Sequence, residues 1–251
     1  MRRLAALPAL WLALCGAAPT VLITDLSQSR IDINTTFKGA DLLVFGAIQY
    51  PAGTVPDAAP DIAIVVRGPA EPVTVRRKER VAGIWINTEA VRFESVPGFY
   101  AVATTRPIDA IADDRITAIY EIGTGNLQLS PASSASEDKT RSFERGLIAS
   151  KARSGLFAEE PGAVTLTRNV LYRARIAIPS AVPVGEYAAE IHLIDKGRVV
   201  ASSSTPIIIG KSGFERWIYV MAQEQSLLYG LAAVAAALVA GWIASVVTRR
   251  L

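Results

Sequence analysis

His192 is the only histidine in the 251 residues, and Cys15 the only cysteine. Those counts bound the chemistry. A histidine-based metal site would have to borrow every other ligand from scattered acids. A Ser-His-Asp arrangement would have to use His192, which no Gly-x-Ser-x-Gly elbow accompanies. Within EIHLID, His192 alternates as a strand residue does, which suits a structural or surface role. Asp109, Asp113 and Asp114 are the densest acids, but they lack the alternating spacing and glycine of a calcium loop and suit a solvated helix face. Gly123-Thr124-Gly125 is too short for a dinucleotide fingerprint and opens no clear βαβ unit. Asn34-Thr35-Thr36 has the form of a glycosylation acceptor. No residue set specifies a catalytic site, a cofactor or a metal, and a non-enzymatic protein is expected.

Binding signals are clearer. Arg76, Arg77, Lys78 and Arg80, with Glu79 among them, are the densest charge in the chain. They suit either a solvated hairpin end or a patch for anionic headgroups or an acidic partner. Trp85, in GIWIN, reads as a core anchor. Ala233, Ala237 and Gly241 recur every four residues near the C-terminus, a spacing that lets two helices approach closely where lipid supplies no hydrophobic drive. Their partner is expected to be another copy or a polytopic protein.

These residues are placed by the ends of the chain. Ser226–Val247 contains no charged residue and would make a helix of roughly 33 Å, enough to cross a ~30 Å hydrocarbon core. Residues 248–251 close it with Arg249 and Arg250, the signature of a short cytoplasmic tail. Met1 to Ala17 has Arg2 and Arg3, an apolar Leu4–Leu14 run and small residues at 16–18, as a cleaved signal peptide has. Cys15 follows Leu14 rather than a small residue, which argues against lipidation. If Cys15 leaves with the leader, the mature chain has no disulfide. Of 26 basic residues, Arg2, Arg3, Arg249 and Arg250 belong to the ends, leaving 22 against 23 acids in between. That balance gives no basis for nucleic-acid binding.

The exported part reads as mainly β. Alternating or apolar runs at 29–34, 41–48, 62–66, 73–76, 81–86, 90–93 and 99–104 predict short strands of an immunoglobulin-like β-sandwich lobe, residues 18–106. Residues 107–158 predict a partly helical connector. Ser134 and Glu137 have capping-box spacing, and a helix from there to Ser154 would bury Phe143 and Leu147, with Ile148 at the flank. Strands at 163–167, 170–178, 186–194, 198–203 and 206–209 predict a second β-rich lobe, residues 159–212; one distorted sandwich would account for the same strands. Asp195-Lys196-Gly197 supplies a tight turn, and Gly185-Glu186-Tyr187 has the form of a tyrosine corner. Phe214, Trp217, Ile218 and Met221 place an amphipathic interfacial helix over 213–225, running into the span of 226–247. Trp217, Tyr219 and Tyr229 suit the outer aromatic belt, and Trp242 the inner one.

Several stretches together resemble one family: FKGADLLVFGA (37–47), VRRKERVAGIWIN (75–87), PGFYAV (97–102), VPVGEYAAEIHL (182–193), KSGFERWIY (211–219) and LLYGLAAVAAALVAGWIASVVTRR (227–250). The chain resembles the transmembrane protein family of alphaproteobacteria, Alph_Pro_TM, with the C-terminal stretch the most specific. The resemblance implies a bacterial protein anchored in the inner membrane by a single pass, its N-terminal domain periplasmic and its C-terminus cytoplasmic. It also implies association with permeases of the sulfite-exporter type. The family has no assigned activity, so no catalytic residue is implied. The expected function is a periplasmic accessory or interaction protein; the alternative is a module that binds a small anion and delivers it to a permease, for which basic residues should line a concave pocket.

Overall fold

The structure, a computed structural model, describes residues 19–132, 136–211 and 221–248. The expected leader with Cys15, Ser134, the segment 212–220 with Trp217 and Tyr219, and Arg249 and Arg250 lie outside the described residues.

The strand Asp61–Arg67 (β4) explains the architecture. Five of its seven residues, Ile62–Val66, are buried. Alternate side chains of a strand point to opposite faces, so both faces of β4 must be covered. Ile62, Ile64 and Val66 enter one apolar core, and Ala63 and Val65 another. The strand Tyr100–Thr104 (β7), buried along its whole length, divides in the same way: Ala101 and Ala103 to the first core, Tyr100 and Val102 to the second.

Across the first core lies a four-stranded sheet. It contains β1 (Val21–Leu26), β3 (Gly39–Gln49), β10 (Leu171–Pro179) and β9 (Thr165–Thr167), in the order β1-β3-β10-β9. The central sheet has six strands: β2 (Arg30–Ile33), β12 (Arg198–Lys211), β11 (Gly185–Asp195), β4, β7 and β8 (Phe157–Pro161), in that order. Over the second core lie a two-stranded hairpin, β5 (Ala70–Val81) and β6 (Ile84–Pro97), and three helices, α1 (Ile108–Ile111), α2 (Asp114–Ile119) and α3 (Glu137–Arg153). The last described helix is α4 (Ser226–Thr248).

Two expectations change here. β3 pairs with β10 and β4 with β11, so segments 18–106 and 159–212 share their sheets and build one sandwich rather than two lobes. The pairs β2–β12 and β7–β8 are parallel, a departure from the all-antiparallel immunoglobulin-like arrangement. The segments 198–203 and 206–209 are one strand, β12. Pro206 is tolerated inside it because β2 joins only from Ile208 onward, leaving an open edge where its missing N–H is not needed.

Local signals were sound elsewhere. Lys196 (φ 48°) and Gly197 (φ 77°) form the two-residue turn between β11 and β12. The Tyr187 hydroxyl donates to the Pro183 carbonyl at 2.6 Å, closing the tyrosine corner. Helix α3 buries Phe143 and Leu147, with Ile148 packed at the flank, and ends before Gly155 (φ 70°). Its start differs: Ser136 is the N-cap, with no side-chain cap bond. Glu137 therefore sits at the first helical position, too early for a capping box, and bonds Arg141 one turn on.

Among the described residues, no helix is long and apolar enough to cross a membrane.

Candidate interaction surface

The hairpin β5–β6 is built in two halves. Near its root it lies on the body, burying Val91, Phe93 and Val96 in the second core, with Val73 and Val75 packed beside them. α3 clamps the same half. Lys151 bonds Glu71 at 2.9 Å, Lys139 bonds Glu89 at 2.9 Å, and Arg77 donates to Glu89 and Ser142 while stacking 4.9 Å above the Phe143 ring. The ammonium of Lys139, then the guanidinium of Arg77, holds the Glu89 carboxyl below its usual range against the opposing effect of burial.

Past Arg77 and Glu89 the ribbon leaves the body. Residues 78–88 are all exposed. Ala82 (φ 51°) and Gly83 (φ 86°) turn the chain in the left-handed region that a two-residue hairpin loop requires. Opposed residues share a face, and Glu79↔Ile86 and Val81↔Ile84 continue the side that carries Val73, Val75 and Arg77. The outward side carries Arg76, Lys78 opposite Asn87, and Arg80 opposite Trp85. The tip therefore exposes Val81, Ile84, Trp85 and Ile86, with Ile84 67% and Trp85 66% exposed. Trp85 is not the core anchor its apolar neighbours suggested, because the ribbon has no body beneath it at that point. The strand itself runs through the charged stretch that was expected to separate two shorter strands. Of the four cations singled out, Arg77 is spent on the body. Arg76, Lys78 and Arg80 form no ion pair among the described residues.

The concave sites are less informative. The outer face of the β1-β3-β10-β9 sheet carries an open apolar depression of about 600 Å³, lined by Ile23, Leu43, Phe45, Leu171 and one cation, Arg173, among others. Beneath it the Tyr172 hydroxyl reaches Thr24 Oγ1 at 2.6 Å, through space that Gly46 leaves open. A second depression, about 420 Å³, is acidic, with Asp109, Asp114 and Glu159. A third holds Arg106 and Lys196, with Arg106 bonded to Asp61 at its edge. None of the three is the basic concavity that small-anion capture calls for.

The remaining motifs have structural work. Asp113 caps α2, accepting from the Ile116 N–H at 2.8 Å. Gly123 (φ 100°) donates to the Tyr100 hydroxyl, and Glu159 accepts from Thr124. Asn34 Oδ1 accepts from the Thr36 N–H and hydroxyl. His192 is buried, with Nδ1 2.9 Å from Ser202 Oγ and its ring 4.9 Å from the Tyr120 ring. Its Nε2 lies 3.8 Å from Glu190 Oε2. Arg67 bridges Glu121 and Glu190 and bonds the Tyr120 carbonyl. Spacing could not reveal this cluster, because its members come from β4, the end of α2 and β11. The neighbouring imidazole, and then Arg67, holds Glu190 below its ordinary range although burial pushes the other way. Among the described residues no group of three or more His, Cys, Asp or Glu side chains is placed to hold a metal ion.

In α4, Ala233, Ala237 and Gly241 are exposed, as are Tyr229 and Trp242. Leu227, Leu231 and Leu238 are 83%, 68% and 71% exposed.

No curated protein matches the chain. Among solved structures, Spo0M, a sporulation control protein from Bacillus subtilis, aligns over 83% of this chain with 11% identity and a TM-score of 0.27. The chain spans 56% of the length of that protein. The sequence profile of the family described as "Putative transmembrane protein (Alph_Pro_TM)" matches residues 21–250, and the chain belongs to that family.

Proposed function

We propose that this protein is a non-enzymatic interaction protein, held at the bacterial inner membrane by a single span over Ser226–Val247, with the sandwich on the periplasmic side. The observation that carries the reading is α4. Its sequence carries no charged residue over Ser226–Thr248, its described leucines and Trp242 are exposed, and among the described residues its contacts with the strands and helices of the sandwich are sparse. An exposed apolar helix surface is unstable in water and stable in hydrocarbon. Membership of a family named for transmembrane character supports the same reading. Ala233, Ala237 and Gly241 then offer the close-approach face for a polytopic partner, of which a sulfite-exporter-type permease is the candidate. Capture and delivery of a small anion finds no support in the concave sites above.

The test is purification of the full chain from detergent-solubilised inner membranes, beside a variant with Ala233→Leu, Ala237→Leu and Gly241→Leu. A polytopic protein that accompanies the wild type and is lost from the variant is the expected result. Recovery of both forms alone would reduce α4 to a tether, and release of the chain by alkaline extraction of membranes would overturn the anchor itself.

A further inference from the structure

We propose that the β5–β6 hairpin is a second membrane contact: its tip inserts into the interface of an anionic bilayer. This rests on the anchored reading above and adds a site to it.

The argument is the depth order of the side chains. The apex, residues 81–86, carries Val81, Ile84, Trp85 and Ile86 and no charge. Arg80, Lys78 and Arg76 follow behind it, with Glu79 as the only acid among them. At ~3.3 Å per strand residue, Lys78 lies about 10 Å behind Val81. A bilayer presents the same order, with hydrocarbon inside a headgroup layer of roughly 5–7 Å per leaflet. Long Lys and Arg side chains span the difference while their heads stay with phosphate. Tryptophan favours that boundary because its ring is apolar and its N–H is polar. Depth order of this kind is what a layered lipid surface selects; an acidic protein patch requires no such layering.

The apolar stripe has a further feature. Val73, Val75, Val91 and Phe93 are covered by the body, whereas Val81, Ile84 and Ile86 prolong the same side into open space. Among the described residues Arg76, Lys78 and Arg80 form no ion pair, Arg80 donating only to the Gly83 carbonyl of the turn at 3.3 Å, while Arg77 is bound by Glu89 and Ser142. Residues 212–225 join β12 to α4, and 14 residues reach at most about 50 Å. The sandwich is therefore tethered close to the bilayer, where a weak interfacial contact suffices to hold the tip.

The experiment uses the full chain in lipid nanodiscs, with Trp11, Trp217 and Trp242 changed to Phe so that Trp85 is the sole tryptophan. The probe is bromine-labelled lipid, as phosphatidylglycerol-containing or pure phosphatidylcholine discs. Trp85 emission is expected to fall at least twofold in brominated anionic discs relative to unbrominated ones, and by less than a tenth in brominated zwitterionic discs. The triple variant Arg76→Gln, Lys78→Gln, Arg80→Gln should behave in anionic discs as the parent does in zwitterionic ones. Unquenched Trp85 in anionic discs overturns the proposal and assigns the tip to a protein surface. A companion chain retaining only Trp242 reports the anchor. Quenching there with Trp85 unquenched sinks the hairpin contact and leaves the anchor standing, and the reverse pattern does the opposite.

Discussion

The half of the β5–β6 hairpin that lies on the body and the half that leaves it share one apolar side, kept in line by a bulge at Thr88, yet only one half is covered. Phe93 is fully buried, whereas Ile84, on the same side of the same strand, is 67% exposed. Alternation states which way a side chain points; it does not state whether anything lies there to meet it. Cover is supplied by α3 and the second core, and the α3 side chains Lys139 and Ser142 bond Glu89 and Arg77 at its edge. The boundary is electrostatic as well as steric: the salt-bridged Arg77 and Glu89 close the packed half, and Lys78 and Arg80, with no ion pair among the described residues, open the free one.

The largest expected effect breaks the packed half. Phe93→Ala empties a fully buried site between the hairpin and the second core. A large-to-small change of that kind costs about 3–5 kcal/mol. Thermal unfolding of the detergent-solubilised chain, followed by circular dichroism, should show a much lowered midpoint. An unchanged midpoint would mean that the hairpin root is not part of the cooperative core.

Much of this was legible before the structure. Ile62–Val66 reads as a strand from its apolar run, and β4 is that strand, its burial on both faces a finding of the structure. Lys196-Gly197 and Tyr187 carried their turn and corner because those geometries depend on a few neighbouring residues. What depends on distant residues was not legible. The partnership of β3 with β10 joins positions more than a hundred residues apart, and nothing local to either strand names the other. Trp85 failed for the same reason, since its neighbours look like core while the cover they imply is missing. The segment Val21–Leu26 passed unread as a strand, and Phe157–Pro161, with two glutamates and a proline, has no strand signature of its own. It is held by its parallel ladder to β7.

A smaller effect probes the polar side of the central sheet. Glu190 ionises below its ordinary 4.5 in the folded chain because His192 and Arg67 favour its charge. The unfolded state therefore takes up the proton first as pH falls. Its contribution to stability is present above about pH 4.5 and is lost below it, as pH approaches the folded-state value. Glu190→Gln should flatten that part of the stability–pH curve. A variant whose acid limb matches the wild type would assign the loss to other carboxylates.

The smallest expected effect on stability belongs to the free half, and it sharpens the comparison most. Trp85→Ala and Ile84→Ala remove large apolar groups, yet both sites are mostly solvent-exposed beyond the cover of α3. Surface changes of this kind stay within about 0.5 kcal/mol, so the unfolding midpoint should hold while Phe93→Ala lowers it severely. A large loss from Trp85→Ala would mean that the tip packs on something within its own chain, which would remove the bilayer as its partner. A null effect on folding combined with lost lipid contact would separate the two halves cleanly. One strand would then carry both a structural residue and a docking residue, distinguished by what lies beneath them.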